Sequence, residues 1–102
     1  MGILESNIDL IRELCSKYNV SKLFVFGSVL TPGFSKKSDV DFIVSFNNVS
    51  LYDYADNYFN LKSSLEKILQ RPVDLLEDKA INNPFLRESI DSSKQIVYGH
   101  RD

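Results

Sequence analysis

Two kinds of hydrophobic spacing alternate along the first half of the chain. Spacings of three and four residues, typical of one face of a helix, link Ile8, Ile11, Leu14, Cys15 and Tyr18. Ser6 or Asn7 could cap this predicted helix. The apolar run 22–26 then predicts a buried strand, which ends at Gly27.

The same alternation continues to the end of the chain. Residues 28–38 contain Pro32 and Gly33 and predict a loop with one helical turn at its start. Residues 39–46 predict a second strand, and helical spacing over 51–70 predicts a long helix that Pro72 closes. A third strand at 73–77, a last helix at 84–92 and a fourth strand at 95–98 complete the pattern.

This order of elements predicts an α+β fold in a single domain that spans residues 1–102. The expected architecture is a small mixed sheet of about four strands with helices packed against it. The chain has 102 residues, of which 43% are hydrophobic and 25% charged, which is ordinary for a globular protein with a modest core.

Charge and composition exclude several classes of function. A net charge of −2 gives no general attraction for nucleic acid, so nucleic-acid binding is disfavoured. No apolar run approaches the ~18 residues of a membrane span, and no leader opens the chain, so we expect a cytoplasmic protein without a membrane partner. The single cysteine, Cys15, lies in an apolar stripe and is expected to be a buried thiol.

Three carboxylates and a glycine–serine turn carry the candidate chemistry. Asp39 and Asp41 open the second predicted strand and project to the same face, about 7 Å apart at the strand rise. Gly27 and Ser28 form a turn at the end of the strand before it. Asp74 lies in the short apolar third strand, where a carboxylate costs free energy unless it is paired or bound to a cation.

Each of these features also has an ordinary explanation. Glycine–serine after a strand is commonly just a turn, and an isolated Asp-x-Asp at a strand start is commonly a solvated edge. The coincidence of both with Asp74 on one small sheet favours a metal site, because Mg²⁺ binds hard oxygen ligands.

These residues carry a resemblance to a known family. Phe26-Gly27-Ser28, the segment 38–44 and Val73-Asp74-Leu75 resemble the nucleotidyltransferase superfamily that includes DNA polymerase beta, in its smallest form, the minimal nucleotidyltransferases. The resemblance extends from the first helix to Tyr98 and implies the polymerase beta palm-like fold.

The resemblance also implies roles for individual residues. Nucleotide binding would fall to Gly27, Ser28 and Ser38, with ATP as the substrate. Two magnesium ions would be held by the catalytic carboxylates, Asp39, Asp41 and Asp74.

One departure from the family pattern concerns phosphate binding. Many minimal nucleotidyltransferases carry an arginine shortly after the glycine–serine pair, whereas residues 29–32 here are Val-Leu-Thr-Pro. Lys36 and Lys37 could offset triphosphate charge, or could simply form a solvated loop. Arg87 could substitute for the missing arginine, or could pair with Asp91 four residues further along the helix.

The resemblance further implies a partner, a HEPN-domain toxin for which this protein is the antitoxin. The leading hypothesis is transfer of AMP from ATP to a tyrosine of that toxin. The alternative is a non-catalytic antitoxin that neutralises its HEPN partner by contact. Aromatic residues beside the core stripe of the long helix, Tyr52, Phe59 and Tyr58, could anchor that interface, or they could simply pack in the core. Nucleotidyl transfer to a small molecule or an RNA end is a third hypothesis, which the small size and acidity disfavour.

Overall fold

One mixed sheet of four strands organises the structure, a computed structural model that describes residues 2–35 and 37–99. The strands are β1 (Val20–Phe26), β2 (Val40–Phe46), β3 (Val73–Glu77) and β4 (Gln95–Tyr98). They lie in the order β3-β2-β1-β4, with β2 and β3 parallel and the other two pairs antiparallel. The predicted α+β fold with a four-stranded mixed sheet is confirmed.

Helices cover both faces of this sheet. In the described part of the chain they are α1 (Ile3–Ser6), α2 (Ile8–Lys17), α3 (Leu51–Leu69) and α4 (Pro84–Ser93), with 3-10 turns at Gly27–Leu30 and Asp78–Ala80. The first of these turns is the helical turn predicted at the start of the long loop.

The main core lies between one face of the sheet and helices α2 and α3. Strand β2 alternates as predicted, and its residues Val40, Phe42 and Val44 are fully buried on this face. The helices contribute one buried stripe each, formed by Ile11 and Cys15 in α2 and by Leu61, Leu65 and Leu69 in α3.

A smaller apolar cluster covers part of the opposite face. Phe24 of β1, Ile43 of β2 and Ile90 of α4 form its centre. Because Asp41 is two residues before Ile43 in β2, its side chain belongs to this same face, beyond the cluster. Helix α4 therefore covers only part of the face that carries the carboxylate.

Local capping explains where α3 begins and ends and where α4 begins. The Ser50 hydroxyl accepts a hydrogen bond from the Asp53 N–H at 3.2 Å, and α3 ends where Gln70 adopts a left-handed conformation (φ 57°) shortly before Pro72. At the start of α4, the Asn83 side-chain oxygen accepts from the N–H groups of Phe85 and Leu86 at 2.9 and 3.2 Å.

The structure differs from the sequence-based prediction mainly near the start of the chain. A short helix, α1, precedes the predicted one, and Asn7 does not cap α2 with its side chain but donates to the carbonyl of Ile3 at 2.9 Å. Strand β1 begins at Val20, two residues early, because an irregularity in its pairing lets the strand extend past Lys22. Strand β2 begins at Val40, so Asp39 lies immediately before it.

One prediction about an individual residue is tested by the structure. Cys15 is fully buried, as expected, and its burial raises the pKa of the thiol to about 12. Among the described residues, no helix has the length and apolar character needed to cross a membrane.

The Asn83 cap allows a direct test of how α4 is anchored. We expect Asn83→Ala to destabilise the protein by about 1 kcal/mol, because two N–H groups of the first turn lose their acceptor. For a domain of this size the thermal midpoint should fall by about 4–8 °C. Asn82→Ala is the matched control, since Asn82 is exposed and no side-chain hydrogen bond involves it in the described structure. Equal midpoints for both variants would contradict the assigned cap.

Candidate active site

Parallel pairing of β2 and β3 places two carboxylates side by side. Asp41 is the register partner of Asp74, so both side chains leave the sheet on the same face from neighbouring strands. On the other side of Asp41, the antiparallel partner is Phe26, the last residue of β1. Asp41 is half-buried between these neighbours, whereas Asp74 is exposed at the outer strand.

Asp39 joins this pair from the segment that leads into β2. It precedes Asp41 by two residues and is exposed to solvent. The hydroxyl of Ser28 donates to the carbonyl oxygen of Asp39 at 3.4 Å, which ties the turn after β1 to the start of β2. The structure therefore brings the predicted turn and all three predicted carboxylates to one end of the sheet.

The surroundings of Asp41 disfavour the charged form of its carboxyl group. The pKa of Asp41 is raised above its ordinary value, first by burial and then by the negative charges of Asp74 and Asp39. None of the three forms an ion pair with a described residue. Ionisation of Asp41 is therefore opposed by its surroundings, and a bound cation would relieve this repulsion.

Gly27 brings backbone directly against the Asp41 carboxylate. Its φ of +79° lies in the region that side chains disfavour, and a Cβ atom built there would lie 2.5 Å from Oδ2 of Asp41. The turn that follows is held by Thr31, whose N–H and hydroxyl donate to the carbonyl of Ser28 at 2.9 and 2.8 Å. Only glycine allows the turn to approach the carboxylate this closely.

Ser38 has a structural role in the loop before Asp39. Its hydroxyl accepts a hydrogen bond from the Ser35 N–H at 3.1 Å and lies 3.3 Å from the Ser35 hydroxyl. Nucleotide binding by Ser38 stays a prediction. Lys37 is exposed in this loop, and Lys36 lies outside the described residues.

Sequence reasoning missed Arg71, which contacts the same loop. Its guanidinium donates to the carbonyl oxygens of Ser35 and Ser38 at 3.0 and 3.3 Å. The only sequence signal was its position, directly before Pro72 and three residues before Asp74.

Arg87 pairs with Asp78 at 2.8 Å and more loosely with Asp91 at 3.6 Å. The predicted pair of Arg87 with Asp91 within the helix therefore exists, but it is the weaker of the two contacts.

The chemistry of the donor set fits magnesium bound together with a substrate. Within residues 2–35 and 37–99, no three His, Cys, Asp or Glu side chains converge closely enough to hold a metal ion by themselves. Mg²⁺ usually binds through one or two carboxylates together with waters and substrate phosphates, and rarely in an all-protein cage. Mutually repelling carboxylates at an open end of a sheet suit that mode of binding.

Comparison with known proteins identifies the family. Residues 8–102 match the family "Polymerase beta, Nucleotidyltransferase". Over 85 residues the chain is 36% identical to the Methanocaldococcus jannaschii protein named "putative protein adenylyltransferase MJ1379". This alignment covers 83% of the present chain and 82% of the relative. The chain therefore belongs to the polymerase beta nucleotidyltransferase family and is an enzyme of the nucleotidyltransferase type.

Solved structures support the fold of this family. A structure described as a "putative minimal nucleotidyltransferase" aligns with a TM-score of 0.71 and 28% identity, covering 93% of this chain and 95% of that one. A chain from the complex of a tri-AMPylated HEPN toxin of Shewanella oneidensis with an MNT antitoxin aligns with a TM-score of 0.64 and 17% identity. That alignment covers 94% of this chain and 72% of the other, and at this identity it shows the fold alone.

The raised pKa of Asp41 makes a prediction about stability. Because the folded-state pKa lies above the unfolded one, the charged carboxylate opposes folding once the pH exceeds the unfolded value. In metal-free buffer at pH 7, Asp41→Asn should stabilise the protein by no more than about 1 kcal/mol, since solvent screens a half-exposed group. The difference should shrink as acid protonates Asp41 in the wild type.

Thermal unfolding in the presence of EDTA, between pH 4 and pH 7, measures this effect. Asp56→Asn is the matched control, because Asp56 is exposed on α3 and has no ion pair among the described residues. Destabilisation of Asp41→Asn at pH 7, or an equal gain for Asp56→Asn, would contradict the electrostatic account.

The contact between Gly27 and Asp41 makes a second prediction. Gly27→Ala should cost about 1–3 kcal/mol, because a side chain at positive φ is strained and its Cβ would collide with the carboxylate. Gly33→Ala in the same loop should stay within about 0.5 kcal/mol, since its Cβ would meet only Thr31 Oγ1, at 3.7 Å. Urea unfolding of both variants provides the comparison, and equal losses would argue against the close approach.

Proposed function

We propose that this protein is a magnesium-dependent protein adenylyltransferase that transfers AMP from ATP to a tyrosine of a HEPN-domain toxin. The observation that carries the proposal is the in-register pair Asp41 and Asp74, with Asp39 beside it, facing the Gly27 turn. Two further findings support it. A relative is named as a protein adenylyltransferase, and a structural neighbour comes from a complex that contains an AMPylated HEPN toxin.

The reaction is a displacement at the α-phosphorus of ATP. The tyrosine oxygen forms a bond to this phosphorus, the bond from phosphorus to the bridging oxygen breaks, and pyrophosphate leaves. Magnesium ions held by Asp39, Asp41 and Asp74 would stabilise the attacking and leaving oxygens. Asp74, the most accessible carboxylate of the in-register pair, is suited to accept the phenolic proton and pass it to solvent.

The turn after β1 is suited to hold the triphosphate. Gly27 has no Cβ, and the Asp41 carboxylate occupies the space that a side chain would take, so the turn lies directly against this carboxylate. The N–H and hydroxyl of Ser28 lie on the same turn, one residue further along the chain. A triphosphate on this turn would therefore lie beside the carboxylates.

A second candidate function is neutralisation of the HEPN partner by contact alone. The observation in its favour is the exposure of Tyr52 and Phe59 on α3, whose exposed fractions are 86% and 64%. Tyr58 does not belong to this surface, because its hydroxyl donates to the carbonyl of Leu75 at 2.6 Å and its ring packs against the core. We place either activity in the cytoplasm.

Transfer of label from ATP tests the enzymatic proposal. The purified chain, Mg²⁺ and ATP labelled in the α-phosphate are incubated with a candidate HEPN protein and with its tyrosine-to-phenylalanine variants. Label should appear on the HEPN protein and be lost with the acceptor tyrosine. Asp39→Asn combined with Asp41→Asn should reduce the rate at least about 100-fold, because charge stabilisation at phosphorus is lost.

Neutralisation of the toxin is measured in parallel with labelling. Loss of neutralisation in the double variant, with complex formation retained, supports catalysis. Full neutralisation by the double variant, or an unlabelled HEPN protein that the wild type still neutralises, would contradict the proposal and favour contact alone.

A further inference from the structure

Arg71 lies just before β3, the strand that carries Asp74. Its side chain reaches the loop that precedes Asp39. Arg71 occupies the connection between α3 and β3, next to Gln70 in its left-handed conformation. Its guanidinium donates to the carbonyl oxygens of Ser35 and Ser38, and its central carbon lies 4.6 Å from the ring centroid of Phe34. One side chain thus contacts three residues of this loop.

The backbone beside Arg71 contacts the start of β2 directly. The N–H of Val40 donates to the carbonyl of Pro72 at 3.1 Å. Ser38, whose carbonyl Arg71 binds, is the residue before Asp39, and Arg71 itself is three residues before Asp74. The segments that lead to Asp39 and Asp74 therefore contact each other just before β2 and β3 begin, in addition to the pairing of the two strands.

These contacts require the shape of an arginine. A planar guanidinium can stack on an aromatic ring while its N–H groups donate in the same plane, which a lysine ammonium cannot do. The Nε atom of Arg71 is buried and has no hydrogen-bond partner in the structure.

We propose that Arg71 is a positioning residue for adenylyl transfer, which sets the position of Asp39 relative to Asp74 by holding the carbonyls of Ser35 and Ser38. This inference rests on the proposed function and deepens it. Arg71 acts through the loop and not by contact with the nucleotide, so it differs from the phosphate-binding arginine that the turn after β1 lacks.

The variants Arg71→Lys and Arg71→Ala test this role, with Arg87→Lys and Arg87→Ala as matched controls. Arg87 makes a similar pair of strong contacts, to the Asp78 carboxylate at 2.8 Å and its carbonyl at 2.7 Å, at the opposite end of β3 from the loop. General destabilisation by loss of an arginine should therefore affect both pairs of variants. Arg71→Lys retains the charge and remains informative if Arg71→Ala does not fold.

Proteolysis reports on the loop without reference to activity. An endoproteinase that cleaves after lysine can attack the exposed Lys37 bond. Because Arg71→Lys and Arg87→Lys each add a lysine, the measured product is the fragment that ends at Lys37. We expect cleavage after Lys37 to accelerate by about tenfold in Arg71→Lys and by more in Arg71→Ala, because two charge-assisted hydrogen bonds are lost or weakened. Cleavage in the Arg87 variants should match the wild type.

Kinetics separate positioning from phosphate binding. A misplaced Asp39 should lower kcat by about 10–100-fold and raise the KM for ATP by a smaller factor, because Asp39 would also help to hold the metal with the nucleotide. A residue that only binds the triphosphate would instead raise KM and leave kcat unchanged. Phe34→Leu, which removes the ring under the guanidinium, should give a smaller loss of kcat in the same direction.

The outcomes distinguish this inference from the proposed function. Unchanged cleavage after Lys37, or a loss confined to KM, would overturn the positioning role of Arg71. Faster cleavage with an unaltered kcat would overturn it too. A wild type that labels no HEPN protein would instead contradict the proposed function and, with it, any role of Arg71 in the reaction, while cleavage still decides whether Arg71 holds the loop.

Discussion

Repulsion between carboxylates, imposed by parallel strand pairing, is the constraint on which the rest of the site depends. Asp41 and Asp74 cannot move apart, because the backbone register of β2 and β3 fixes them side by side. Burial and the nearby negative charges raise the pKa of Asp41, and no described cation offsets them. Carboxylates held in this way oppose the ionisation of Asp41, which is unfavourable for folding. The same arrangement favours binding of a cation together with phosphates.

The two faces of the sheet divide structural and chemical roles. One face is covered by α2 and α3 and contains nearly all of the buried apolar side chains. The other is covered only in part, by α4 over a cluster of three buried residues, which leaves the end of the sheet beside Asp41 open. The large core holds β2 rigidly, so a small domain can maintain charged groups in an unfavourable position at its edge.

Local sequence patterns predicted most of the fold and indicated the candidate site residues, whose roles stay predictions. The period-two alternation around Phe42, the helical stripe through Leu61 and the breakers Gly27 and Pro72 each encode an element within a few neighbouring residues. Family resemblance then supplied the roles of the carboxylates. The pairing of β3 with β2, by contrast, depends on packing between distant segments and left no periodic signal.

What sequence reasoning missed has the same physical origin. Arg71 contacts residues 33 and 36 positions away, and the preference of its guanidinium for two carbonyls and a ring cannot be deduced from a lone arginine before a proline.

Calorimetric titration of a non-hydrolysable ATP analogue, with and without Mg²⁺, tests the central claim most directly. The account predicts magnesium-dependent binding that Asp39→Asn/Asp41→Asn abolishes, and binding that is indifferent to Mg²⁺ or to that double substitution would contradict it.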